Sequence, residues 1–450
     1  MINLKRSCLI ILLFGLWACE KKVDEEVIPE PTEVQISPKV AHQWANMTLK
    51  LVKESPENSP TYTSRTLAYA GVTMYESIVS GSIIFKSVAS QLSGLSDLPS
   101  AQGLDWETSL SAGQAGILKA LYPHTSDQLK EELQNLHSSI VAERKAAGVP
   151  DSVLTASAEY GQYIATVIFE WSKNDNGHEG FMRTFDYSYT LPQGIEYWVP
   201  PRFGQSSINQ PLHPYWGQNR LFVPANEQLE IPEIYEYSAE TSSAYYKDMK
   251  EVYDKNISLT QEEKETALWW GDDPAGSASP PGHSYYLAAK LVNQEQNNLF
   301  EAASVFAKVG MAVSDAFVRC FKCKYHYHAE RPTAFIRRYI DSRYTQFWPE
   351  PPFPAFTSGH STQSAAAATT LISVFGDDIT YTDDFHEGRP KDSERNVEFR
   401  SREFTSIWAF AEECGWSRIL GGIHTQQDNI QGLEEGKRIG ENINALNWKY

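Results

Sequence analysis

Phe353-Pro354-Ala355-Phe356-Thr357-Ser358-Gly359-His360-Ser361 leads out of a proline-rich run and into an alanine-rich segment, 362–375, of helical composition. That junction makes Ser358, Gly359 and His360 the opening residues of a helix. The first backbone N–H groups of a helix have no intrahelical partners, and the helix dipole leaves partial positive charge beside them. A serine hydroxyl, free amides and an imidazole at that end form a cradle for an anion. Serine is also a common helix cap, so taken alone the plainer reading, a cap followed by a surface histidine, stands ahead. What else converges on the turn decides between them.

The chain around this turn reads as helical. Trp44, Met47 and Leu51, then Leu67, Ala70, Val72 and Tyr75, recur at helical spacing on either side of Pro60. Further helical pattern runs through 112–121, 126–147 and 153–173, with Gly148-Val149-Pro150 as a stop and restart. No alternating strand pattern recurs and no internal repeat is found, so the expected class is all-α, as packed helical bundles with long irregular loops. Of the 450 residues, 41% are hydrophobic, with 12 tryptophans and 23 tyrosines, enough for a sizeable core. The net charge of −18 argues against nucleic acid or an anionic membrane surface as a partner. An anionic ligand must therefore be held by a local group of cations.

Two stretches supply that group. From residue 299 a helical stripe of Val305, Val309, Val313, Phe317 and Cys320 lands, four residues on, at Lys324. Arg331 follows two turns later, placed by the same spacing near the end of the helix that Pro332 closes. Later, a helix expected over 399–415 carries Phe404, Trp408, Ala411 and Cys414 toward Arg418. Gly421-Gly422 permits a break that can aim His424 back at whatever Arg418 holds. Asp428 can reach a histidine ring nitrogen and fix its tautomer. Buried cations are rare unless paired or holding an anion. Three of them, with a helix N-terminus and two histidines, suit a tetrahedral oxyanion, one histidine for attachment and one for acid–base work.

Lys324-x6-Arg331-Pro332, Ser358-Gly359-His360 and Ser417-Arg418-x5-His424-x3-Asp428 follow in order between residues 324 and 428. Together they resemble the three-part signature of the vanadium-dependent haloperoxidase and type 2 phosphatidic acid phosphatase superfamily. The flanks Ile336-Arg337, Pro352-Phe353-Pro354-Ala355 and Gly421-Gly422-Ile423-His424 resemble its bacterial haloperoxidase branch, as do Trp270-Gly271-Asp272-Asp273-Pro274 and Pro281-Gly282-His283. The resemblance is strongest to flavobacterial vanadium iodoperoxidases. It implies vanadate as cofactor, bound by Lys324, Arg331, Ser358, Gly359, His360 and Arg418, with His424 as the vanadium ligand and His360 as the acid–base residue. Hydrogen peroxide and halide are the implied substrates, hypohalous acid the product, and small organic molecules the acceptors.

In the phosphatase version of the same site, His424 attacks phosphorus and His360 protonates the leaving group; an inactive surface binding lipoprotein is the third reading. Thr357 departs from the proline usual before Ser-Gly-His. Phe321 stands where the chloride-oxidising branch has tryptophan and leans away from chloride; Phe353 stands where algal bromoperoxidases have histidine and leans away from that type. The likeness to flavobacterial iodoperoxidases makes iodide the first halide expected, with bromide next.

The remaining features are read as structural. Aromatic residues spread through 174–229 are expected to pin an irregular segment, with His213 structural. Asp272 and Asp273 lack the alternating oxygen ligands of a calcium loop; His283 is a candidate group behind the main site. Cys320, Cys323 and Cys414 read as buried thiols, since no second pair completes a zinc site. At the N-terminus, Lys5 and Arg6 precede an apolar run, 8–17, and then Leu16-Trp17-Ala18-Cys19, which resembles a bacterial lipobox. The expectation is a signal peptide over 1–18, lipidation at Cys19, a flexible tether over 20–38 and one helical domain over 39–450. That places the protein outside the cytoplasm as a periplasmic or cell-surface lipoprotein on the outer membrane, touching membrane only through its anchor. Oligomeric state is open between monomer and homodimer.

Overall fold

The computed structural model describes residues 33–201, 204–273 and 276–450. The leader, Cys19 and most of the tether lie outside the described residues. Glu33–Tyr450 forms one compact unit. Its first five helices are α1 (Lys39–Glu54), α2 (Pro60–Glu76), α3 (Trp106–Leu121), α4 (Asp127–Ala146) and α5 (Asp151–Ser172). Ser59, Asp105 and Ser126 cap α2, α3 and α4, each side-chain oxygen accepting an otherwise unpartnered amide of the first turn. Gly148 takes φ +93° between α4 and α5, a value that glycine reaches without strain.

After the irregular 174–223 stretch come α6 (Pro224–Glu227), α7 (Ala244–Asn256), α8 (Gln261–Trp269), α9 (Ser279–Glu295) and α10 (Leu299–Tyr327). The C-terminal part holds α11 (Pro332–Tyr339), α12 (Gly359–Phe375), strands β1 (Tyr381–Asp383) and β2 (Arg402–Phe404), α13 (Ile407–Leu420) and α14 (Gln426–Asn444). The two short antiparallel strands are the only sheet among the described residues, and the all-α class holds.

The core is built on α10, 29 residues long and buried on nearly every side. Against α2 the two backbones come so close that only glycine fits. A Cβ on Gly71 would lie 2.4 Å from the Phe306 carbonyl oxygen, and one on Gly310 would lie 2.5 Å from that of Leu67. The pair α12 and α14 repeats the device. A Cβ on Gly436 would sit 2.1 Å from the Thr362 carbonyl oxygen, and Ala365 and Ala366 face it. This close packing draws the first turn of α14 to that of α12, where the Ser358 N–H donates to the Asp428 carbonyl at 3.1 Å. The site is assembled by that contact.

Two helix boundaries differ from the sequence expectation. α10 stops at Tyr327, because His328 turns left-handed at φ 51° and its N–H closes back on the Lys324 carbonyl. Arg331 is therefore not on the Lys324 helix; it is the N-cap of α11, with Pro332 at N1. Likewise the helix expected from 399 begins only at Ile407, capped by Ser406, because Arg402–Phe404 pairs with Tyr381–Asp383. Phe404 thus lies on a strand, while Arg418 still ends a helix. The irregular segment is pinned by aromatics as expected, with Trp198 and Trp216 buried. His213 is buried too, bonded to Thr61 and, through Nε2, to the Gly180 carbonyl at 3.0 Å. Cys320, Cys323 and Cys414 are buried free thiols.

Candidate active site

Three segments meet at a cavity of about 290 Å³. One wall presents Lys324, Gly359, His360, Arg418 and His424, with Asp272 beside them; Phe185, Leu212, Phe317, Phe321 and Phe353 line the other. Arg331 and Ser358 stand just behind this lining. Ser358 caps α12 and its hydroxyl accepts from the Ser361 amide and hydroxyl.

Lys324 leaves the last turn of α10 wholly buried, and its Nζ donates to the carbonyls of Pro354 at 3.0 Å, Ala355 at 2.7 Å and Thr357 at 2.5 Å. It thereby shapes the turn that opens α12. Arg331 braces the same turn through the carbonyls of Phe353 and Pro354. Its Nη1 donates to the Ile423 carbonyl and to His424 Nε2, both at 2.9 Å. Phe353 lies under both cations, its ring centre 5.2 Å from Lys324 Nζ and 5.4 Å from the Arg331 guanidinium, and 5.3 Å from the ring of Phe321.

The charges are expensive where they sit. Burial lowers Lys324 to about 8, and Arg331 and Arg418 to about 10. All three bond to main-chain carbonyls rather than carboxylates. Arg418 gives one bond, Nη1 to the Trp270 carbonyl at 3.0 Å, while its Nε and Nη2 are buried with no partner. His360 Nε2 is buried and unpartnered as well. At the edge of a cavity, the Arg418 donors are free to meet a ligand's oxygens.

The histidine tautomers follow from their neighbours. A guanidinium can only donate, so His424 Nε2 is the acceptor and Nδ1 carries the proton, which it donates to Asp428 Oδ2 at 2.8 Å. Asp428 also closes a capping box with Thr425. Burial, then repulsion from Arg331, Lys324 and Arg418, holds His424 well below the ordinary histidine value. His360 is lowered in the same way by burial and Arg418, and its ring bonds the Trp270 carbonyl. Burial raises Asp428 to about 6, against the pull of Lys324.

The structure thus brings together the residues singled out from sequence, Arg331 and Ser358 one layer back. Sequence reading missed the Trp270 carbonyl as a shared acceptor and Asp272 as cavity lining. It also missed Asp383 and His386, which join His283 behind Trp270. Main-chain acceptors leave no sequence signal, and His386 lies about a hundred residues from His283, too far for any spacing rule.

The protein is predominantly helical, with a buried cationic wall on one cavity. Residues 340–449 match the family model of the VCPO second helical-bundle domain. The fold is similar to that of a bacterial vanadium-dependent iodoperoxidase, with TM-score 0.77 and 26% identity over 93% of this chain and 98% of that one. It is also similar to a bacterial vanadium-dependent chloroperoxidase. The apo form gives TM-score 0.62 at 18% identity, over 85% of this chain and 92% of that one. The holo form gives 0.65 at 17%, over 92% and 98%. A comparison with curated protein sequences found no significant match. The fold is thus that of the vanadium haloperoxidase structures, and residues 340–449 carry the family's second helical bundle.

Proposed function

We propose that the protein is a vanadate-dependent haloperoxidase that oxidises halide with hydrogen peroxide to hypohalous acid. One observation carries this: buried donors without partners, Arg418 Nε and Nη2, point into a site that also holds Lys324, the α12 N-terminus and a neutral His424. The donor set fits vanadate. Arg331, Ser358, Gly359, His360 and Arg418 would hold its oxygens, Lys324 would add its charge while its hydrogens stay on the carbonyls of the turn, and His424 Nε2 would ligate vanadium. The chemistry vanadate supplies when bound is activation of hydrogen peroxide for two-electron oxygen transfer to halide.

The chain's own residues do the rest. His360 stays unprotonated near neutral pH, so its ring can take the proton from incoming peroxide while the Trp270 carbonyl helps to hold it. Asp428 fixes the His424 tautomer and keeps Nε2 basic. Three fixed cations in a water-poor site withdraw charge from the bound oxyanion without reorganising. The phenylalanine wall strips water from halide, Phe321 leans away from chloride, and the likeness to an iodoperoxidase makes iodide the first halide. Small organic acceptors would meet the hypohalous acid at or beyond this wall. Export and lipidation at Cys19 belong to the same proposal; a Cys19→Ser protein that still fractionates with membranes would count against the anchor.

The test removes bound metal and adds orthovanadate, following iodide, bromide and chloride oxidation beside hydrolysis of p-nitrophenyl phosphate. Vanadate-dependent iodide oxidation supports the proposal. Hydrolysis that vanadate inhibits, without halide oxidation, would assign the site to the phosphatase instead.

A further inference from the structure

Behind Trp270, and 1% exposed, His283 lies stacked between two aromatic rings. Trp270 is on one face, 4.6 Å between centres at 21°, and Phe385 on the other, 4.1 Å at 22°. Its Nδ1 is 3.0 and 3.1 Å from the two oxygens of Asp272, and its Nε2 is 2.9 Å from Asp383 Oδ2. Asp272 Oδ1 is also 2.9 Å from His386 Nε2, and His386 Nδ1 is 3.2 Å from Arg389 Nη1.

Asp272, His283 and His386 place three ligand atoms within 4.8 Å of one another, close enough to hold a metal ion. The protons argue otherwise. Arg389 can only donate, so His386 Nδ1 accepts and Nε2 carries a hydrogen, which it gives to Asp272. A metal would need that nitrogen bare. His283 faces a carboxylate at each nitrogen, so both nitrogens carry hydrogen and the ring is an imidazolium. Burial opposes that charge, but Asp272 and Asp383 outweigh it and push His283 up to about 10.

We propose that His283 is a positioning residue for the oxyanion site, a buried cation that clamps the Trp270–Asp272 turn against Arg418 and His360. Two links run from the turn to the site. The Trp270 carbonyl accepts from Arg418 Nη1 at 3.0 Å and from the His360 ring. Asp272 lines the cavity itself, its charge facing both residues. Without the imidazolium, Asp272 and Asp383 lose the cation that lies between them, and the indole loses the ring stacked beneath it. What the site then loses rests on the haloperoxidase reading; the clamp itself does not.

The experiment uses the full chain. In metal-free protein labelled with [15N]histidine at pH 8, His283 is expected to show two protonated ring nitrogens. His283→Gln, folded by circular dichroism, is expected to lose about 10–100-fold in orthovanadate affinity and in kcat for iodide, with KM for peroxide little changed. Asp383→Asn retains the volume and can still accept from Trp269; it is expected to show a smaller loss in the same direction, and carries the test if His283→Gln does not fold. The proposal is overturned by a singly protonated His283, by a stoichiometric metal that a chelator strips from the cluster, or by wild-type affinity and kcat in whichever variant folds. A wild-type protein that binds no orthovanadate would sink the haloperoxidase reading while leaving the nitrogen measurement to judge the clamp.

Discussion

Replacing Arg418 with methionine separates what the residue costs the fold from what it gives the ligand. The side chain is wholly buried, satisfies one carbonyl and leaves two donor groups without partners. A buried ion lacking compensation is weak support for stability, and an apolar replacement of similar volume is often neutral or stabilising. Metal-free Arg418→Met should therefore melt within a few degrees of wild type, or above it, the lost Trp270 bond offset by the removed charge. The ligand side has the opposite sign. If Nε and Nη2 each give an oxyanion a charge-assisted bond of roughly 1.5–3 kcal/mol, the variant forfeits about 3–6 kcal/mol, or roughly 10²–10⁴-fold in vanadate affinity. Arg418→Lys keeps the charge without the planar fork and should fall between. Thermal unfolding of the metal-free proteins and calorimetric titration with orthovanadate read both quantities. A variant that melts several degrees lower yet binds vanadate within threefold of wild type would refute the reasoning.

Other expectations follow from the same geometry. His424→Ala should abolish vanadate retention and turnover together, whereas His360→Ala should slow turnover more than it weakens retention; the reverse pattern would exchange their roles. Burial lowers His213 to about 4, below its unfolded value of about 6.5, so the unfolded chain takes the proton first. Its contribution, on the order of 3 kcal/mol, is present above pH 6.5 and fades as pH falls toward 4. Thermal unfolding between pH 4 and 7 should show a smaller loss for a folded His213→Gln than for wild type. Gly436→Ala places a Cβ 2.1 Å from the Thr362 carbonyl and forces α14 off α12. It should destabilise by about 1–3 kcal/mol and weaken orthovanadate binding as well, since Asp428 lies in α14's first turn and His424 immediately precedes its cap. Lost stability with intact binding would show that the contact does not place the site.

The sequence by itself determined the fold class and which cations and histidines the fold would bring to one cavity wall. Helical spacing carried Lys324 to the buried end of α10, Ser358 announced the start of α12, and Gly421-Gly422 announced the bend that aims His424. These are local properties, set by side-chain periodicity and backbone freedom, and they can be read without neighbours. Their limit shows at Arg331 and Phe404. Periodicity extended one helix through the first and another back through the second, because nothing local forecasts the left-handed His328 or the pairing of Arg402–Phe404 with Tyr381–Asp383.

Tertiary structure alone decided what each group can do. It set the protonation of His424 by placing Arg331 at one nitrogen and Asp428 at the other, and it left Arg418 with two donors unspent. It also drew Asp272, His283, Asp383 and His386 from distant segments into one proton-filled cluster. Burial and the direction of a neighbour's hydrogen bond arise from packing between helices far apart in the chain, and no spacing along the chain records them.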